Sequence, residues 1–138
     1  AYNYIGDKEN ALKAVHEIIN ENTKEKMKKM EEKLKKIVEE QNLEQENPEE
    51  LALLLWQVLK QYEQVEFQTV KGLAFTYVIK GNEMFIDRKE KSITKSSVLL
   101  AFQNLVKQGG IISGPKKLGT FGASYLYPIF MELGWIVE

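Results

Sequence analysis

Residues 92–117 read SITKSSVLLAFQNLVKQGGIISGPKK, and the fold turns on how this stretch is parsed. Thr94 carries the short oxygen-bearing side chain of an N-cap, which predicts a helix from Lys95 onward. At the helical angular step, Val98, Leu99, Ala101, Phe102, Leu105 and Val106 share one broad face. Ser96, Ser97, Gln103, Asn104 and Lys107 lie opposite, with Leu100 among them and no carboxylate. Gly109-Gly110 stops the helix, since glycine takes the left-handed conformation that ends one. Ile111–Ser113 is then expected as a short strand, Gly114–Gly122 as a loop, and Ala123–Tyr127 as a returning strand.

The same region concentrates positive charge. Arg88, Lys89, Lys91, Lys95, Lys107, Lys116 and Lys117 stand against one acid, Glu90, so seven basic residues less one acidic residue leave a net +6. Clustered cations free of carboxylates suit a polyanion, because each phosphate contact releases condensed counterions. Hydroxyls and amides add side chains that reach phosphates and base edges without repulsion. The pattern in 92–117 resembles the recognition helix and wing of winged helix-turn-helix regulators of the GntR or MarR type. The resemblance covers 26 residues. It implies that Thr94, Lys95, Ser96, Ser97 and the helix face, Asn104 and Lys107 included, would meet DNA, with Lys116 and Lys117 on the flanking backbone. The sequence departs from that family just upstream, where the segment before the helix reads as a β-hairpin and leaves only Asp87–Lys91 for a helical turn.

That hairpin rests on a period of two. Val65, Phe67 and Thr69, then Leu73, Phe75, Tyr77 and Ile79, predict strands, and Gly81-Asn82 between Leu73–Lys80 and Glu83–Asp87 is a two-residue turn signal in which both residues take positive φ. Further upstream, Asn47-Pro48-Glu49-Glu50 is a helix start with Asn47 as cap, Pro48 at the first position and Glu50 completing a capping box. The helix after it is apolar on most sides, which makes it central to the core and Trp56 a packing residue.

The first 46 residues read as a helical arm. Asp7 is an N-cap, Asn22 with Glu25 forms a second capping pair, and Leu12, Val15 and Ile19, then Met27, Met30, Leu34 and Ile37, make helical stripes. The stripe serves either a homodimer through the N-terminal helices or packing on the rest of the chain. Lysines from Lys24 to Lys36 alternate with glutamates, so this is a solvated face, with Glu25–Lys29, Glu31–Lys35 and Glu32–Lys36 as supporting pairs. At the other end, Pro128 is expected to break the chain near Tyr127 and to start a short helix ending at Leu133, with Gly134 as its stop and Trp135 folding back onto Phe130.

Composition sets the bounds. The 138 residues suit one compact unit, with 43% hydrophobic and 28% charged residues. Residues 1–50 hold nine Lys and thirteen acids, net −4, and residues 51–138 ten basic and seven acidic residues, net +3. The run Leu51–Trp56 is far shorter than a bilayer span, and Tyr4 and Ile5 make no signal core, so no membrane partner and a cytoplasmic location are expected. Cysteine is absent, which removes disulfides and thiolate chemistry. His16 has no carboxylate pair around it, and Gly114–Thr120 lacks the lysine of a phosphate-binding loop. No catalytic residue, metal site or cofactor is expected, and the chain is read as not an enzyme.

The expected architecture is α+β: a helical N-terminal arm over 1–46, then a compact winged-helix-like domain over 47–138 with a small antiparallel β-sheet. The expected function is non-catalytic nucleic-acid binding, to DNA, through Arg88, Lys89, Lys91, Thr94, Lys95, Ser96, Ser97, Asn104, Lys107, Lys116 and Lys117. The alternative is a protein–protein interaction or assembly module with no nucleic-acid role.

Overall fold

The structure, a computed structural model, describes residues 24–44 and 47–137. The Asp7 and Asn22 caps, the Leu12–Val15–Ile19 stripe and His16 lie outside the described residues.

Helix α1 spans residues 24–40. Leu34, Ile37 and Val38 are buried in the common core and Met30 packs at its edge, while Met27 is half-buried and lines an open cleft beside Tyr62. None of the three expected glutamate–lysine pairs forms. The one ion pair among the described residues is Lys36–Glu40, at 3.9 Å, and Glu31 instead accepts a hydrogen bond from the Tyr62 hydroxyl. Helix α2 is Pro48–Lys60, capped by Asn47, whose Oδ1 accepts from the amides of Glu49 at 2.8 Å and Glu50 at 3.4 Å. It buries Leu51, Leu55, Trp56, Val58 and Leu59, while Leu53 faces out.

Strands β1 (Phe67–Gln68) and β2 (Ala74–Phe75) pair antiparallel, and β3 (Tyr77–Lys80), β4 (Glu83–Ile86) and β5 (Ile93–Thr94) form an antiparallel sheet in that order. The expected single strand from Leu73 to Lys80 is divided at Thr76. There Asp87 Oδ1 accepts from the Thr76 amide and the Thr76 carbonyl accepts from the Asp87 amide, so the chain changes partner from β1 to β4. The Gly81-Asn82 turn is present, with Lys80 opposite Glu83. Only Gly81 takes positive φ, which is the hairpin arrangement with glycine at the first central position. Trp56 packs as expected, its Nε1 donating to the Gly81 carbonyl at 2.8 Å and tying α2 to the hairpin.

Helix α3 (Lys95–Lys107) follows β5 directly, capped by Thr94 Oγ1, which accepts from the Ser97 amide at 3.2 Å. It ends through Gly109 and Gly110, both at positive φ, whose amides bond back to Val106 and Leu105. Helix α1 ends the same way through Gln41 and Asn42, and Gln41 adopts positive φ although it is not glycine.

Beyond α3 the expected wing does not form. Ile111 makes an isolated parallel bridge to Val137, and the following loop folds as a 3-10 turn, η1, at Pro115–Leu118. Ala123–Tyr127 is helical, not a strand, and belongs to one helix, α4 (Ala123–Glu132), that runs through Pro128 without a break. The burial of Leu126, Tyr127, Ile129 and Phe130 follows a helical stripe, and the carbonyl that Pro128 leaves without a helical donor belongs to exposed Ser124. Gly134 stops α4 and Trp135 folds back, its ring centroid 5.5 Å from Phe130 and 5.4 Å from Phe102. With α2 and η1 against α3, and α4 against both α3 and η1, the fold is α+β around one core.

Candidate nucleic-acid interface

The cations from Arg88 to Lys117 are placed by two features of the chain: the β4–β5 connection and the way η1 lies along α3. Asn104 Nδ2 donates to the Leu118 carbonyl at 2.7 Å, and Gln108 Nε2 to the Lys117 carbonyl at 2.8 Å. At the other end of α3, Gly122 packs so closely on Ile93 that a Cβ there would enter its side chain. Residues 117–122 therefore run antiparallel to α3, with Lys116 and Lys117 near its C-terminal end and Phe121 near its start. The β4–β5 connection reaches the same point, where Lys89 Nζ lies 4.0 Å from the Phe121 ring centroid.

Two cationic groups result. One comprises Lys95 at the start of α3 with Arg88, Lys89 and Lys91 on the β4–β5 connection, which Lys89 ties to Phe121. In the other, Lys116 and Lys117 sit beside the C-terminal end of α3, roughly 20 Å from Lys95 along the helix. Arg88, Lys91, Lys116 and Lys117 are exposed, while Lys89 and Lys95 are half-buried. Arg88 is steadied by its Nε, which donates to the Ala74 carbonyl. Among the described residues none of these six has a carboxylate within ion-pair distance. Lys107 is set apart, because it lines a cleft with Glu40, Gln41 and Glu44 of the α1 end.

Two of the residues expected to meet DNA, Asn104 and Thr94, also hold the fold. Asn104 is clamped beneath η1, and Thr94 is both the α3 cap and a hydrogen-bond donor to Ser97 Oγ at 3.1 Å. Ser96, Leu100, Gln103 and Lys107 form the outward strip of α3, and Leu100 is 46% exposed in its middle. The arrangement can hold phosphates at both ends of α3 but offers few free polar side chains between them.

Phe121, 48% exposed and outside the packed core, went unread in the sequence. The signal was present: an aromatic bracketed by Gly119 and Gly122 in a loop following two lysines. Charge is the main electrostatic content of the surface. The strongest titration shifts lie elsewhere, at Tyr62, pushed up to about 12 by burial and by Glu31, and at Tyr77, raised by burial and by Glu63. No group of histidine, cysteine or acidic residues suited to a metal occurs among the described residues, and no helix among them is long and apolar enough to cross a membrane. No protein-family model, curated protein or solved structure matches the chain.

Proposed function

We propose that this protein binds nucleic acid without catalysis, gripping the phosphate backbone with Arg88, Lys89, Lys91, Lys95, Lys116 and Lys117, and that DNA is a ligand. The observation that carries this reading is the charge of residues 88–117, where these six and Lys107 stand against one acid, Glu90, and where none of the six has a carboxylate within ion-pair distance among the described residues. Cations already paired would have to break their pairs before meeting phosphate, whereas these release only solvent and counterions. Two groups at opposite ends of α3 grip a backbone at two points and fix its direction across the surface. The commitment of Asn104 and Thr94 to internal bonds favours contacts to backbone over contacts to base edges.

The test is fluorescence anisotropy of a mixed-sequence duplex titrated at several salt concentrations. About five phosphate contacts give a log–log slope near −4.5. Lys116→Glu with Lys117→Glu is expected to weaken binding equally at every sequence and to flatten the slope by about two. Absence of binding at low salt would reject the proposal. The protein-interaction alternative would then lead, on the strength of Ile111 and Val137, which pair with each other at an edge yet are 69% and 57% exposed.

A further inference from the structure

We infer that Phe121 is a stacking platform for an unpaired base, so that the preferred ligand of the cationic surface is single-stranded nucleic acid. The inference rests on the nucleic-acid reading above and specifies its ligand. Three observations carry it. Phe121 is 48% exposed and takes no part in the aromatic pairs of the core, although an apolar ring of this size is ordinarily buried. Its ring is held in place by Lys89, whose ammonium lies 4.0 Å from the centroid and covers one side. Its position on the chain is fixed by Gly119 and Gly122, both at positive φ, with Gly122 locked against buried Ile93.

A ring presented in this way next to Arg88, Lys89 and Lys91 has the two parts that single-strand binders combine, a cationic track for the backbone and an aromatic face for a base. Duplex DNA cannot use the ring, since its bases are already stacked on each other. Lys89 serves both parts, because its ammonium lies over one face of the ring, where it can neutralise a phosphate while a base stacks on the other face. The flanking loop from Lys116 to Phe121 gives the strand a path between the cationic pair and the ring.

The experiment compares a thymidine oligonucleotide of about 16 nucleotides with a duplex of the same length, by anisotropy over a salt series. The wild-type chain is expected to bind the single strand at least tenfold more tightly, and Phe121→Ala to lose about tenfold on the single strand with an unchanged salt slope and unchanged duplex binding. Phe121→Trp is expected to restore single-strand affinity, with its added indole fluorescence quenched by the oligonucleotide, since Trp56 and Trp135 are buried. Equal affinity for both ligands, or a Phe121→Ala protein that binds the single strand like wild type, overturns the platform and leaves the backbone-binding reading standing. Failure of the wild-type chain to bind either ligand overturns both.

Discussion

Single side chains in this protein do work that their type does not announce. Gln41 sits at φ 53°, a conformation that favours glycine, because the end of α1 must turn there to meet the end of α3. Gln41→Gly is expected to raise stability by about 0.5–1 kcal/mol, read from the urea midpoint, since relief of the backbone outweighs the weak 3.4 Å bond from its Nε2 to the Lys107 carbonyl. The tyrosines give a pH dependence. Tyr62 and Tyr77 both hold their protons more tightly folded than at the ordinary value of 10.0, so the folded chain binds more protons than the unfolded one above that value. Stability is therefore full below pH 10.0 and falls as pH rises through about 12 for Tyr62, and further for Tyr77. Tyr77→Phe is expected to remove about half of the tyrosine-linked fall between about pH 8 and about pH 11 in denaturant midpoints, Tyr62 supplying the other half over that window. It should cost only about 1 kcal/mol at neutral pH, because the Leu59 carbonyl that accepts from the Tyr77 hydroxyl keeps the amides of Gln61 and Tyr62.

Elements were legible where local chemistry decides them. The Asn47 and Thr94 caps, the Gly81 turn, the glycine stop of α3 and the Gly134 stop of α4 each follow from a short-range rule that tertiary contacts reinforce. The same rules failed after Gly110, because the choice there was made at long range. Leu118 is drawn under Asn104 and Gln108, so the loop becomes a 3-10 turn rather than a wing, and Ala123–Tyr127 is helical because Leu126, Tyr127, Ile129 and Phe130 find one buried face. The charge of the candidate surface could be read directly, whereas the separation of Lys107 toward Glu40 and Glu44 could not, since those acids are distant in sequence. Asn104 now has a definite role in holding η1 against α3. Asn104→Ala is expected to destabilise the fold by about 1–2 kcal/mol in thermal or urea melts and to weaken nucleic-acid binding alike at all sequences, as Lys116 and Lys117 lose their seat. A change in sequence preference in that variant would return Asn104 to base recognition.

At the scale of the molecule, the ends of α1 and α3 and the final turn of the chain meet at one crowded joint. A Cβ on Gly110 would lie 2.7 Å from the Trp135 carbonyl oxygen and 2.8 Å from Val38 Cγ1, and Gly109 faces the Gln41 side chain just as closely. Within the described part of the expected arm, Leu34, Ile37 and Val38 share the core with α2, α3 and α4. The joint also gives the fold an order in time. Gln41 and Lys107 are separated by 66 positions, and bringing them together from a free chain costs about 3.7 kcal/mol in the length-dependent part of loop entropy before any contact repays it. The β3–β4 hairpin and the bridge from Trp56 to Gly81 close over far shorter stretches. Folding is thus expected to proceed from the hairpin outward, with the first described helix the last to seat and the first to leave, so that native-state hydrogen exchange should open its amides well before those of α3.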